Sequence, residues 1–147
     1  EVAADLTTFE ARVDELAGLP PLADDNPAIL AQAAVALHHA YGAVESALLR
    51  VARLLEGDAP QGPDWHQALL GSMALDIDGV RPAVLSVDSR DDLRRLLSFR
   101  HFFRHAYSVR LDADRLTELR AVAVRLRPAL RTDFERLDGV LRDLASH

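Results

Sequence analysis

A long run of regularly spaced apolar residues in the first half of the chain limits the fold more than any other feature. The run begins with Asn26 and Pro27, a pair typical of a helix N-cap and first helical residue, and it ends at Gly57. Between these signals, apolar side chains recur at alternating steps of four and three residues: Leu30, Ala34, Leu37, Tyr41, Val44, Leu48, Val51 and Leu55. This spacing places them along one face of an α-helix roughly 45 Å long. A helix of that length with one apolar face requires other elements to cover it.

Both ends of the chain carry further segments with the helical period. Near the N-terminus, a stop at Gly18 follows the apolar positions Leu6, Phe9, Val13 and Leu16. After Asp112, the apolar repeat comprises Leu116, Leu119, Ala123, Leu126, Leu130, Phe134, Leu137, Leu141 and Leu144. Pro128 lies inside this region, and because proline lacks a backbone N–H we expect it to kink or divide the last helix.

Cap signals predict two more helices in the middle of the chain. Asp64 can cap a short helix that runs to about Met73, and Ser89 followed by Asp92 resembles a capping box that opens another helix. Glycine and proline collect between the periodic segments, and no segment alternates at the period of a strand. The sequence therefore predicts an all-α fold, an antiparallel bundle of about five helices, in a single domain over residues 1–147.

Composition excludes several classes of protein. The chain has no cysteine, so disulfides and thiolate metal sites are excluded. It has no apolar run of the length that spans a membrane, and no basic start followed by an apolar block that would indicate a secretory signal. We therefore expect a cytoplasmic chain with no membrane partner.

The basic charge is concentrated in one segment of an acidic chain. The formal net charge is −6, but residues 81–110 hold seven arginines and three aspartates, a charge of +4, which leaves −10 for the rest. A protein that wraps nucleic acid broadly is usually basic all over, because its affinity comes from many phosphate contacts. The pattern favours a local phosphate site, although Arg90, Arg94 and Arg95 alone are typical of a solvated helix face.

The stretch SFRHFFRHAY, residues 98–107, combines cationic, imidazole and phenol groups on one side of a helix. Helical geometry gives the apolar residues one face that must be buried: Phe99, Phe102, Phe103 and Ala106. The polar residues share the side that the core does not take: Arg100, His101, Arg104, His105 and Tyr107.

These residue types suit the cleavage of RNA without a metal. Arginine offers a fork of donors that fits phosphate oxygens, and histidine can give or take a proton near neutral pH. A base can activate the 2'-hydroxyl, an acid can protonate the leaving 5'-oxygen, and a cation can stabilise the phosphorane between them. An arginine and a histidine five residues apart also occur together by chance, so an ordinary surface helix stays open as the alternative at this point.

The pattern Arg100-x4-His105-x-Tyr107 resembles the RxxxxHxY signature of HEPN-domain ribonuclease toxins of the HepT type. The stretches HHAYGAVESALLRVARLL, QGPDWHQALL, GVRPAVLS and SFRHFFRHAYSVRLDADRL are similar to HepT-like sequences, and the likeness is clearest over residues 37–137. The resemblance implies an all-helical HEPN bundle that acts as a metal-independent endoribonuclease on RNA, with no cofactor. It implies that Arg100 binds the scissile phosphate and that His105 is a general acid or base.

The resemblance also implies two protein partners. HEPN toxins pair two protomers so that both motifs face one cleft, and Arg100 and His105 lie about 140° apart around a helix, so one copy converges poorly. A homodimer is therefore expected. In the related toxin-antitoxin systems, an MNT-type nucleotidyltransferase antitoxin transfers AMP to the motif tyrosine, here Tyr107. Such a modification adds bulk and negative charge on the same face as Arg100 and would repel a substrate phosphate.

Other residues near the motif have less specific interpretations. His101 is expected to support Arg100 or to contact RNA; with His105 it forms an i, i+4 pair that could bind zinc, but no third ligand stands nearby, and no metal is predicted. Arg104 is expected to assist phosphate binding, or to be ordinary helix surface. The alternative for the whole chain is a noncatalytic HEPN module that binds RNA or nucleotides, or docks a partner.

Several polar residues lie outside the motif. Tyr41 and Glu45 lie four residues apart on the long helix, where packing is the simpler interpretation, with a contact from Glu45 that positions the motif arginine as the alternative. Trp65 and His66 are predicted to pack the short helix against the bundle. The adjacent residues His38 and His39 receive no role from the sequence.

Overall fold

The computed structural model describes residues 1–105 and 111–146, except for the side chains of residues 101–105. The described chain forms five α-helices: α1 (Val2–Ala17), α2 (Pro27–Glu56), α3 (Trp65–Met73), α4 (Val87–His105) and α5 (Ala113–Ala145). Within those ranges, the β-structure consists of one isolated bridge between Ile77 and Arg81. The predicted all-α bundle is confirmed. None of the helices in the described ranges is long and apolar enough to cross a membrane.

Helix α2 is the centre of the bundle, and its ends are set by local chemistry. The Asn26 side chain accepts a hydrogen bond from the Ile29 N–H at 3.4 Å, and Gly57 ends the helix with a φ of 80°. The left-handed conformation at Gly57 is open to glycine without steric cost. Helix α2 packs against each of the other four helices. The predicted apolar stripe is buried from Leu30 to Val51, and Leu55 is half-buried.

Ion pairs between helices show the antiparallel arrangement. They join Asp5 to Arg50, Glu10 to Arg131, Asp14 to Arg127 and Asp92 to Arg125. The start of α1 thus lies beside the end of α2, and residue numbers rise along α1 as they fall along α5. On α4 and α5 the same reversal holds, because the Phe99 ring lies 5.8 Å from the Arg115 guanidinium, closer to the start of α5 than Arg125 is.

Helix α4 begins three residues earlier than the sequence predicted. Ser86 is its cap, since the Ser86 Oγ accepts from the Ser89 N–H at 3.1 Å and the Ser89 hydroxyl lies 3.0 Å away. The predicted capping box of Ser89 with Asp92 is therefore wrong. Asp92 is instead buried and accepts two hydrogen bonds from Arg125, at 2.6 and 2.8 Å.

Pro128 does not divide the last helix. Helix α5 is assigned as one element with Pro128 inside it. The missing N–H removes a single hydrogen bond to the carbonyl of Val124, a residue that is partly exposed to water. Leu126 and Leu130, on either side of the proline, are both buried. Core contacts on both sides hold the helix together.

Arg81 fastens the connection between α3 and α4. Its side chain is fully buried and donates five hydrogen bonds, to Glu56 Oε1, the Leu75 and Pro82 carbonyls, and the Ser72 carbonyl and Oγ. The next residues fold back on α3, because the Met73 carbonyl accepts from the N–H groups of Val84 and Leu85. These contacts tie the end of α3 to the end of α2 and so fix the short helix that carries His66.

Candidate functional site

The motif arginine is held by a buried glutamate on the central helix. Glu45 is 5% exposed and accepts from three side chains. Its Oε1 accepts from Arg100 Nη1 at 2.9 Å, whereas its Oε2 lies 2.9 Å from the Tyr41 hydroxyl and 2.6 Å from His66 Nδ1. Helices α2, α3 and α4 each supply at least one of these four residues. We call Tyr41, Glu45, His66 and Arg100 the Glu45 cluster.

A buried carboxylate is tolerated here because its charge is paired and its oxygens are hydrogen-bonded. Tyr41 lies one turn before Glu45 on the same face of α2, and its side chain is fully buried. Burial raises the pKa of the Tyr41 phenol far above its usual range, with a further contribution from the charge and hydrogen bond of Glu45; the charge of Arg100 opposes them. Tyr41 therefore remains a hydrogen-bond donor to Glu45 at any physiological pH.

Arg100 lies closer to the core than the helical pattern predicted. Its side chain is 19% exposed, and its guanidinium carbon lies 5.7 Å from the centre of the Tyr41 ring. The Nε atom is buried and has no acceptor among the described residues. The neighbouring Phe99 is buried, as predicted. Arg100 thus lies at the boundary between the core and the surface, because its guanidinium binds Glu45 on α2.

An open cleft lies beside Arg100, between α1, α2 and α4. Its lining residues are Asp5, Thr8, His38, His39, Gly42, Ala43, Glu45, Ser46 and Arg100. On the α2 side, the cleft is lined by residues with small side chains, Gly42, Ala43 and Ser46, which leave space above the helix. Both acidic residues of the cleft are paired with arginine, since Asp5 accepts from Arg50 at 2.8 Å. We call this surface the Arg100 cleft.

The remaining motif residues fall outside the described side chains. His101, Arg104 and His105 belong to the last turns of α4, and their side chains are not part of the described structure. Tyr107 lies outside the described residues altogether. Three expectations therefore stay predictions: the meeting of two copies of Arg100 and His105 in one cleft, the zinc alternative for the histidine pair, and the role of Tyr107.

Arginines elsewhere in the basic segment are mostly compensated by acids. Arg90 pairs with Asp91, and Arg95 with Asp92, while Arg94 lies at 4.0 Å from Asp91. These contacts match the interpretation of an ordinary charged helix face. In the described part of the segment, Arg100 is the arginine that lines a cleft together with histidines.

Sequence reasoning missed His66 as a member of the site. The His66 ring does stack on Trp65, with 3.7 Å between ring centres, but its Nδ1 also binds Glu45, which lies 21 residues earlier. No local spacing connects the two residues. The alternative contact from Glu45 to the motif arginine is confirmed. His38 and His39, which the sequence left without a role, line the Arg100 cleft with their rings 5.7 Å apart.

In the described part of the chain, four helices pack around the central α2 and the motif arginine lies on α4, which defines a HEPN-type helical bundle. A family model described as HepT-like protein matches residues 32–141, about three-quarters of the chain. The chain belongs to this HepT-like family, as the resemblance predicted. No curated protein and no solved structure matches it.

Proposed function

We propose that this chain is a metal-independent endoribonuclease, the toxin of a toxin-antitoxin system, with its active site in a single HEPN domain over residues 1–147. The observation that supports this most directly is the placement of Arg100. A buried carboxylate holds it at the edge of an open cleft, with Nη2 bound to no acceptor among the described residues. A guanidinium held in this way, with a donor that is unpaired among the described residues, suits a phosphate oxygen.

The proposed reaction cleaves RNA by internal transfer. A general base removes the proton of the 2'-hydroxyl, whose oxygen attacks the adjacent phosphorus. The bond from phosphorus to the 5'-oxygen breaks, and a general acid protonates that oxygen. The products carry a 2',3'-cyclic phosphate and a 5'-hydroxyl. Arg100 stabilises the charge on the phosphorane, and His105 acts as general acid or base, with His101 and Arg104 in support.

A homodimer completes this scheme. Two proton-transfer groups are needed on opposite sides of the phosphate, and a second copy supplies a second His105. Light scattering of the purified protein should give the mass of a dimer at micromolar concentration. A monodisperse monomer that cleaves RNA would contradict this part of the proposal.

An MNT-type nucleotidyltransferase antitoxin is the proposed regulator. It would transfer AMP from ATP to the Tyr107 oxygen, with release of pyrophosphate. The added phosphate would repel the substrate phosphate at Arg100 and block the cleft. The supporting observation is membership of the HepT-like family.

Cleavage of total RNA in EDTA tests the central claim. The parent protein should produce fragments with 2',3'-cyclic phosphate ends, and Arg100→Ala and His105→Ala should not. Arg94→Ala, which changes a more exposed arginine on the same helix, should cleave like the parent. An intact mass measurement of the parent protein, made before the assay, should show that no AMP adduct is present. If the unmodified parent fails to cleave RNA, the proposal is wrong, and a noncatalytic RNA-binding, nucleotide-binding or partner-docking module takes its place.

A further inference from the structure

We propose that Glu45 is a positioning residue for Arg100, and that Tyr41 and His66 hold Glu45 in place. The inference rests on the proposed ribonuclease function and assigns it three residues outside the motif. Contacts lead from α3 through the buried carboxylate to the edge of the Arg100 cleft: His66 to Glu45 at 2.6 Å and Glu45 to Arg100 at 2.9 Å.

The two oxygens of Glu45 have different tasks. Oε2, the oxygen that does not bind Arg100, accepts hydrogen bonds from both Tyr41 and His66, and these two bonds prevent the carboxylate from rotating. Oε1 then meets Arg100 through Nη1 alone. A freely turning carboxylate could take two donors from one edge of the guanidinium, as arginine and carboxylate often do. Among the described residues, this single bond leaves Nη2 available for a phosphate oxygen.

Location separates the residues that can touch a ligand from those that act through others. Glu45 and Arg100 line the cleft, whereas Tyr41 and His66 do not. Tyr41 and His66 therefore influence a ligand in the cleft only through Glu45 and Arg100. The ring of Tyr41 also supports the guanidinium from one side, at 5.7 Å.

Charge explains why the carboxylate needs all three donors. A bare carboxylate beside a substrate phosphate would repel it. Hydrogen bonds from Arg100, Tyr41 and His66 distribute that negative charge. The Nε of Arg100 is buried and has no acceptor among the described residues. Burial of an unpaired donor costs free energy, which indicates that the position of the guanidinium at the cleft is kept although the Nε–H loses its hydrogen bond.

Glu45→Gln removes the charge and keeps the shape. Whichever way the new amide is turned, its NH2 group meets either Arg100 or the two donors on Oε2. We expect single-turnover cleavage of RNA to slow by about 10- to 100-fold, because small displacements of a catalytic group have effects of this size. Glu10→Gln is the matched control: it is the same substitution at a glutamate that also binds an arginine, Arg131, outside the Glu45 cluster and the Arg100 cleft. It should cleave at the parent rate.

A double-mutant cycle distinguishes positioning from general structural damage. In an Arg100→Lys background, Glu45→Gln should have little further effect, since the group that it positions is gone. Equal effects of Glu45→Gln in both backgrounds would overturn the proposal.

Substitutions of His66 test the contact with Glu45 on the α3 side. His66→Asn keeps a donor near the position of Nδ1, whereas His66→Leu does not. Asn should retain most of the cleavage rate and Leu should lose it.

A measurement that does not need cleavage separates this proposal from the proposed function. The Arg100 Nε–H is buried, so its nuclear magnetic resonance signal should exchange slowly with water, and Arg100→Lys identifies the signal by its absence. In Glu45→Gln the exchange should accelerate, and in Glu10→Gln it should not change. An unchanged signal in Glu45→Gln overturns the positioning proposal. An inactive parent in which the signal still depends on Glu45 overturns the ribonuclease function alone.

Discussion

Replacement of Arg81 by methionine should be among the most destabilising single changes in the described chain. The side chain is fully buried and donates five hydrogen bonds. Methionine fills much of the same space but donates none. Three main-chain carbonyls lose a donor, at about 1 kcal/mol each, and Glu56 loses its cation. Because Glu56 is 20% exposed, water partly replaces that cation, and about 1 kcal/mol is expected for it.

The expected loss is therefore about 4 kcal/mol, which lies within the range found when one partner of a buried ion pair is removed. For a chain of 147 residues, this lowers the midpoint of thermal unfolding by about 10 °C. Urea unfolding followed by far-ultraviolet circular dichroism measures the change. Arg142→Met, at a residue 80% exposed in its pair with Asp138, serves as control and should cost less than about 0.5 kcal/mol. A loss below about 1 kcal/mol for Arg81→Met would refute the reasoning, because it would mean that water replaces every one of the lost donors.

Three further changes test individual contacts. The Arg125 hydrogen bond holds the pKa of Asp92 below its usual value against the opposing effect of burial, so Asp92 should stabilise the fold at neutral pH and lose that effect as the pH falls below about 4. The urea midpoints of the parent and Asp92→Asn should differ at neutral pH and converge in acid; a constant difference would contradict the pairing. Burial raises the pKa of the Tyr41 phenol, so the free energy of unfolding should decrease as the pH rises above about 10, and Tyr41→Phe should weaken this dependence. Identical alkaline profiles for the two proteins would argue against the burial of the Tyr41 phenol beside Glu45. Gly57→Ala forces a side chain into a φ of 80° and should cost about 1 kcal/mol in urea unfolding, whereas a neutral result would show that the end of α2 can rearrange.

Most of the fold could be predicted because helix periods and caps are local properties. The limits of α2 follow from Asn26, Pro27 and Gly57, residues whose conformational preferences operate within one turn. The start of α4 could not be predicted in the same way. Ser86 and Ser89 are both good cap residues, and two long-range contacts accompany the observed start: the Ser86 N–H donates to Asp133, 47 residues away, and Asp92 binds Arg125, 33 residues away. A contact at that distance has no signal in local spacing.

In the candidate site too, residues linked by local spacing could be predicted, and a residue brought in by the packing of another helix could not. Arg100 was found from a motif within one helix, and Glu45 was visible as an alternative because it follows Tyr41 by one turn. His66 could not be found, because only the packing of α3 brings it to Glu45. The roles of His105 and Tyr107 remain predictions from the motif.

The central helix also constrains how the chain can change in length. Glu45 serves the cleft and Glu56 anchors Arg81, and eleven residues correspond to three helical turns with about 20° to spare, so both carboxylates lie on the same side of α2. A deletion or insertion of one residue between them would rotate one carboxylate by about 100° relative to the other, and either the cleft or the α3 anchor would lose its partner. The exposed positions of this stretch, such as Arg53 and Leu54, can accept substitutions, whereas changes of length belong in the loop between α2 and α3.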